Sequence, residues 1–151
     1  MYIPMVALLM FILPTISVII EALFFRNSPG IILLIGKWFV FWGVGVRLFT
    51  AGLKQTLQPE FTAQEIFKLK NQEAIVLIKE LGFTNIAVGV LGISTIFNAN
   101  WVMPAAIAGG LFYGFAGFGH ILEKKNLLEK VAMYSDLFMF AVMTIYFALK
   151  V

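Results

Sequence analysis

Five runs of apolar residues, each long enough to cross a bilayer, alternate along the chain with short polar breaks. They cover residues 2–25, 31–53, 74–97, 101–122 and 131–149. About 20 apolar residues, rising ~1.5 Å each, span a hydrocarbon layer of about 30 Å. Each run therefore predicts a transmembrane helix, and the whole predicts an all-α helical bundle of five spans in a single membrane domain, 1–151. The first run has no basic residue before it and no small-x-small cleavage site, and Glu21 stands near its end. It reads as a retained helix rather than a signal peptide. Pro14 within it removes one backbone hydrogen bond and predicts a bend.

The breaks are short except one. Arg26-Asn-Ser-Pro-Gly30 and Asn98-Ala-Asn100 are turn compositions, so spans one and two, and spans three and four, form antiparallel hairpins. The long connection runs from Lys54 to about Glu73. Within it Thr62-Ala-Gln-Glu65 has the spacing of a capping box, which starts a helix near Ala63. Phe67, Ala74, Leu77, Ile78 and Leu81 then recur on one helical face, predicting an amphipathic interfacial helix over about 63–81. Two arrangements fit: a bend into span three around Gly82, or one continuous helix.

Composition agrees with lipid as the main solvent. The chain is 61% hydrophobic and 13% charged, with a mean hydropathy of +0.95, against about half and about a quarter in soluble domains. The absence of Cys excludes thiol nucleophiles, disulfides and Cys-ligated metals. A net charge of +3 without a Lys/Arg tract argues against nucleic acid as a partner. The basic residues are distributed unevenly. Lys54, Lys68, Lys70, Lys79, Lys124, Lys125 and Lys130 fall on one side of the predicted topology, and Arg26, Lys37 and Lys150 on the other. Seven against three predicts a cytoplasmic N-terminus. Small size and the lack of a sorting signal point to a prokaryotic inner membrane.

Ionisable groups inside spans are costly, so each is a candidate for function. Arg47, Glu80, Asn85, His120 and Asp136 come from four spans, and the topology brings all five to the cytoplasmic half. A guanidinium among carboxylates is far less costly than any of them alone, and His120 could exchange protons near neutral pH. Two readings stand side by side: a ligand or proton site, or a polar cluster that only fixes helix register. One His, with His120 and Glu123 three apart, predicts no metal site. Glu21 and Lys37, brought level by the first hairpin, read as a packing ion pair. Ala106, Gly110 and Gly114 repeat at four-residue spacing, which serves tight packing within the chain or a homodimer through the Gly110/Gly114 face. Trp38, Trp42 and Trp101 read as an interfacial aromatic belt. The stretch from Gly30 to Gly36-Lys37 is not a P-loop, since Trp38 stands where a hydroxyl must hold magnesium. No Ser/His/Asp triad has a spacing signal either.

Gly45-Val-Arg47-Leu-Phe-Thr-Ala51-Gly52-Leu-Lys54 and Glu80-Leu-Gly82-Phe-Thr-Asn85-Ile-Ala-Val-Gly89 resemble the first two helices of the DoxX-like superfamily of small membrane proteins, over about residues 36–149. The resemblance implies a four-helix bundle of spans two to five with an additional N-terminal helix. It implies Arg47 and Glu80 as polar-core positions. Some members of that group are subunits of quinone-linked oxidoreductase systems.

The expected function is binding of a small amphipathic molecule, a quinone-like or other lipid ligand, by an accessory subunit of a larger membrane complex. No other cofactor is indicated, and a non-enzymatic role is favoured. The alternatives are a proton-coupled transporter of small solutes, an intramembrane acid–base enzyme using Glu80 and His120 on a lipid, and a purely structural subunit.

Overall fold

The structure is a computed structural model that describes residues 2–25, 29–66, 72–121 and 127–150. Five helices in it are long and apolar enough to cross a membrane: α1 (Tyr2–Phe24), α2 (Ile31–Leu57), α3 (Gln72–Ser94), α4 (Ala99–Ile121) and α5 (Leu127–Lys150). No strand occurs among the described residues. The chain is thus an all-α, multi-pass integral membrane protein. Helix ends differ from the predicted spans by a few residues. α2 continues past Leu53 to Leu57, whereas α3 stops at Ser94 because Thr95, Ile96 and Phe97 donate to carbonyls three residues back and tighten into a turn. Asn98 opens the next hairpin arm by accepting from the Asn100 amide at 3.0 Å, the Asx geometry that favours a helix start.

Two helices contain widened turns. In α1 the stretch Leu8–Ile12 is π-helical, and Leu13 donates to the Leu8 carbonyl five residues back. Pro14, which has no N–H, follows directly, so the predicted disturbance takes the form of a local change of helix type. In α2 the stretch Val40–Val46 is π-helical and ends where Arg47 donates to the Trp42 carbonyl.

The long connection differs from expectation. Helical backbone begins by Phe61, in a π-type turn Phe61–Ile66, so Thr62 lies inside that turn and does not cap a helix beginning at Ala63. Residues 67–71, in the middle of the expected interfacial helix, lie outside the described residues, as do Arg26, Glu123, Lys124 and Lys125. α3 runs through Gly82 without interruption. Gly82 is a contact point, not a hinge: a Cβ there would come within about 3 Å of the Gly52 carbonyl and the Thr56 hydroxyl.

Glycine sets the spacing of the bundle. On the α2/α3 seam, a Cβ on Gly45 or Gly92 would meet the other helix's backbone at under 3 Å, and one on Gly89 would meet the backbone of Phe49. Such close approach lets dispersion, the main attraction between helices in lipid, act across whole backbones. Gly110 and Gly114 pack on Met143 and Phe140 of α5 within the same chain, so the face considered for a homodimer is engaged internally. α1, α2, α4 and α5 share a core that includes Met10, Val40, Val44, Tyr113 and Met139.

At the end opposite Lys54, Lys37 Nζ donates to both Glu21 oxygens at 2.8 and 2.7 Å, and Trp38 Nε1 donates to Glu21 Oε2 at 2.7 Å. This is the expected packing pair, joining α1 to α2. Trp42 lies deeper along the same helix. It stands eleven residues into α2, about 16 Å from its start, and donates to Ser17 of α1 at 3.0 Å.

Candidate functional site

The buried face of each helix decides which polar residues point inward. On α3 it comprises Ala74, Ile78, Gly82, Asn85, Gly89 and Gly92, and on α5 Glu129, Ala132, Ser135, Asp136, Met139, Met143 and Tyr146. Steps of three and four along both follow the helical period, so packing of the small and apolar residues carries Asn85 and Asp136 into the bundle. Arg47 lies at the start of the regular segment that follows the π stretch of α2, and only 6% of it is exposed.

These residues line a cavity of about 330 Å³ at the Lys54 end of the bundle. All five helices contribute: Tyr2 and Met5 from α1, Arg47, Lys54 and Gln55 from α2, Asn85 from α3, Tyr113 and His120 from α4, and Asp136 from α5, with Phe61 and Thr62 from the connection. Leu48, Ala51, Leu81, Phe112, Phe115 and Ala132 supply apolar wall. The volume lies near the lower end of the range for small-molecule sites, about 300–1,000 Å³. Among the described residues no group of three or more potential ligands could hold a metal ion.

The polar groups lie at two depths. Gly43 packs on Met139 and Gly36 on Tyr146, and this antiparallel register puts Asp136 at about the depth of Arg47. Arg47 Nη2 donates to the Tyr2 hydroxyl at 3.4 Å, and the guanidinium sits 5.7 Å from the Tyr2 ring centre. No hydrogen bond or ion pair joins Arg47 to Asp136, and Arg47 Nε is buried without a hydrogen-bond partner among the described residues. Nearer the Lys54 end, Asn85 Nδ2 donates to Gln55 Oε1 at 2.7 Å, while Asn85 Oδ1 is buried and unbonded. The contacts of Gly45 with Gly92 and of Gly52 with Gly82 and Ile86 place Asn85 about five residues, or ~8 Å, from the Arg47 level. His120 is half-buried, and Lys54 Nζ stands 3.4 Å above the Phe61 ring.

Beyond Arg47 the interior closes. Val40, Val44, Tyr113, Met139 and Met143 are each at most 2% exposed, and the Tyr113 hydroxyl donates to the Gly43 carbonyl inside the π stretch. The cavity is therefore blind, with a guanidinium and a carboxylate at its closed end and mainly apolar walls toward the mouth, interrupted by Asn85, Gln55 and His120. That geometry suits an amphipathic molecule, whose polar groups find partners while its apolar part packs on Leu and Phe.

Of the five residues singled out from sequence, Arg47, Asn85, His120 and Asp136 line this cavity and Glu80 does not. Glu80 is exposed. It lies two residues, about 200° of helix rotation, from both Ile78 and Gly82 on the buried face of α3. Tyr2, Gln55, Phe61 and Tyr113 belong to the site without having been anticipated. Gln55 had a usable signal, since it neighbours Lys54 on the helix bearing Arg47. Tyr2 had none, because nothing in the sequence pairs the start of α1 with the middle of α2.

No curated protein matches the chain, and no solved structure does. The DoxX-like resemblance of residues 36–149 gains no support from these comparisons. One family model, described as a family of unknown function (DUF6790), matches residues 4–150, a stretch that takes in α1 together with the four later helices. The chain belongs to the DUF6790 family.

Proposed function

We propose that this protein binds a small amphipathic molecule, a lipid or quinone-like compound, in the cavity at the Lys54 end, and serves as an accessory subunit of a larger membrane system. The observation that carries the proposal is the blind cavity whose closed end holds Arg47 and Asp136, both over nine-tenths buried and not bonded to each other. Two ionisable groups buried without a direct bond between them carry a desolvation cost, and a bound molecule that bonds to both offsets it. Lys54 marks the cytoplasmic end in this reading, in keeping with the basic excess on that side, and the N-terminus is then cytoplasmic. The accessory role rests on the resemblance of residues 45–54 and 80–89 to DoxX-like proteins alone.

Two alternatives have less support. A transporter needs a path to the other side, and five closely packed side chains fill the interior there. An acid–base enzyme using Glu80 and His120 needs both at one site, and only His120 lines the cavity.

The test is native mass spectrometry of protein released from nanodiscs, with solvent extraction and absorbance spectroscopy of what co-purifies. Wild type should carry a stoichiometric small molecule, and Ala116→Phe, which fills the cavity, should lose it with helix content unchanged. Bare wild-type protein, or an adduct retained by the filled variant, overturns the proposal.

A further inference from the structure

The closed end of the cavity also restricts which head group it accepts. Arg47 offers a buried N–H with no partner, and Asp136, level with it on the facing helix, offers carboxylate oxygens. A group placed between them must accept from the first and donate to the second. With Asp136 ionised their charges cancel, so an anionic head would be drawn to Arg47 but repelled by Asp136 at the same depth, and a cationic head the reverse; either would add an uncompensated charge to a buried site. An uncharged hydroxyl-bearing head meets neither penalty and satisfies both partners. Asn85 Oδ1, one of three buried side-chain polar atoms without a partner among the described residues, with Arg47 Nε and Thr56 Oγ1, lies about 8 Å nearer the mouth and calls for a further donor. Lys54 does not alter this balance at the closed end. It lies seven residues, or two helical turns, from Arg47 and rests on the Phe61 ring at the rim.

We infer that the site selects an uncharged amphiphile whose head carries at least two hydroxyl or equivalent donor–acceptor groups, one lodged between Arg47 and Asp136 and one reaching Asn85. This rests on the ligand-binding reading above. It adds that selection is by charge balance at the closed end, so removing either charge should change the preferred head group in a defined direction.

The experiment uses three probes that share one C18 chain: 1-oleoylglycerol, oleate and oleylamine. Each is titrated into the detergent-solubilised protein above neutral pH, where oleate is ionised, with native mass spectrometry and a thermal shift as readouts. Wild type should bind 1-oleoylglycerol at least about tenfold more tightly than either charged probe, a difference of about 1.4 kcal/mol. Asp136→Asn, which leaves Arg47 unbalanced, should gain affinity for oleate, and Arg47→Gln should gain affinity for oleylamine. Asn85→Val should weaken 1-oleoylglycerol alone.

Wild type that prefers oleate or oleylamine overturns the inference and leaves the binding site standing. Failure of all three probes to bind wild type or the variants, with helix content intact, overturns the inference, while bare wild-type protein in the co-purification experiment overturns the binding reading itself. Should either charge variant fail to fold, the wild-type ranking alone decides.

Discussion

Asn85 of α3 donates to the side-chain carbonyl of Gln55 on α2 at 2.7 Å, a side-chain hydrogen bond across a seam otherwise built from glycine contacts. Within a membrane such bonds contribute modestly, about 0.6 kcal/mol on average and at most about 1.7. Asn85→Val should therefore lower stability by about that amount and leave the helix count intact. Reversible unfolding in mixed micelles measures it. A loss several times larger would mean that Asn85 positions more than Gln55.

The glycines of this seam should be far less replaceable than the polar pair. Gly45→Val and Gly92→Val each drive a side chain into backbone closer than 3 Å, where no rotamer change relieves the contact. Overpacking costs of about 1–3 kcal/mol or more follow, with α2 and α3 forced apart. Gly119→Ala is the control, since nothing lies within 4 Å of a Cβ there. Thermal stability in detergent should fall sharply for the first two and stay within error for the third.

Glu80 and Asp136 are both carboxylates in the predicted spans, but their surroundings are opposite. Glu80 is exposed and Asp136 is 8% exposed and lines the cavity. Glu80→Gln should leave ligand retention as in wild type, and Asp136→Asn should change it, by the same mass-spectrometric measurement. Loss of ligand in Glu80→Gln would show that the face of α3 bearing it contributes to the site after all.

The contrast between these two carboxylates shows what the sequence could and could not reveal. Depth was legible: apolar run lengths and the alternation of sides bring Arg47, Asn85, His120 and Asp136 to one end, because each residue advances a helix by a fixed rise. Direction around the helix was harder. It depends on which face a neighbour covers, and Glu80 is excluded only once Gly82, Asn85, Gly89 and Gly92 are recognised as one contact stripe. Those glycines were visible, but small residues identify a partner-facing side without naming the partner. The Phe61–Thr62 lining was out of reach for a different reason, since a polar connection carries no periodicity to say where it folds back.

The π-helical stretch of α2 bears on how a change in that helix would act. Each residue of an α-helix advances about 100° around its axis, and the wider turns between Val40 and Val46 alter the angular phase of everything after them relative to the Ile31–Phe39 segment before. Arg47 is the first residue beyond. If the same residues wound as a regular α-helix instead, Arg47, Leu48 and Gly52 would turn by roughly 100° while none of their side chains changed. The glycine contacts on one side and the guanidinium on the other would then both point at the wrong neighbours. The aim of this helix is thus set by how its middle is wound as much as by the identity of its residues: the wide turns take up about one residue that regular winding would have turned into rotation.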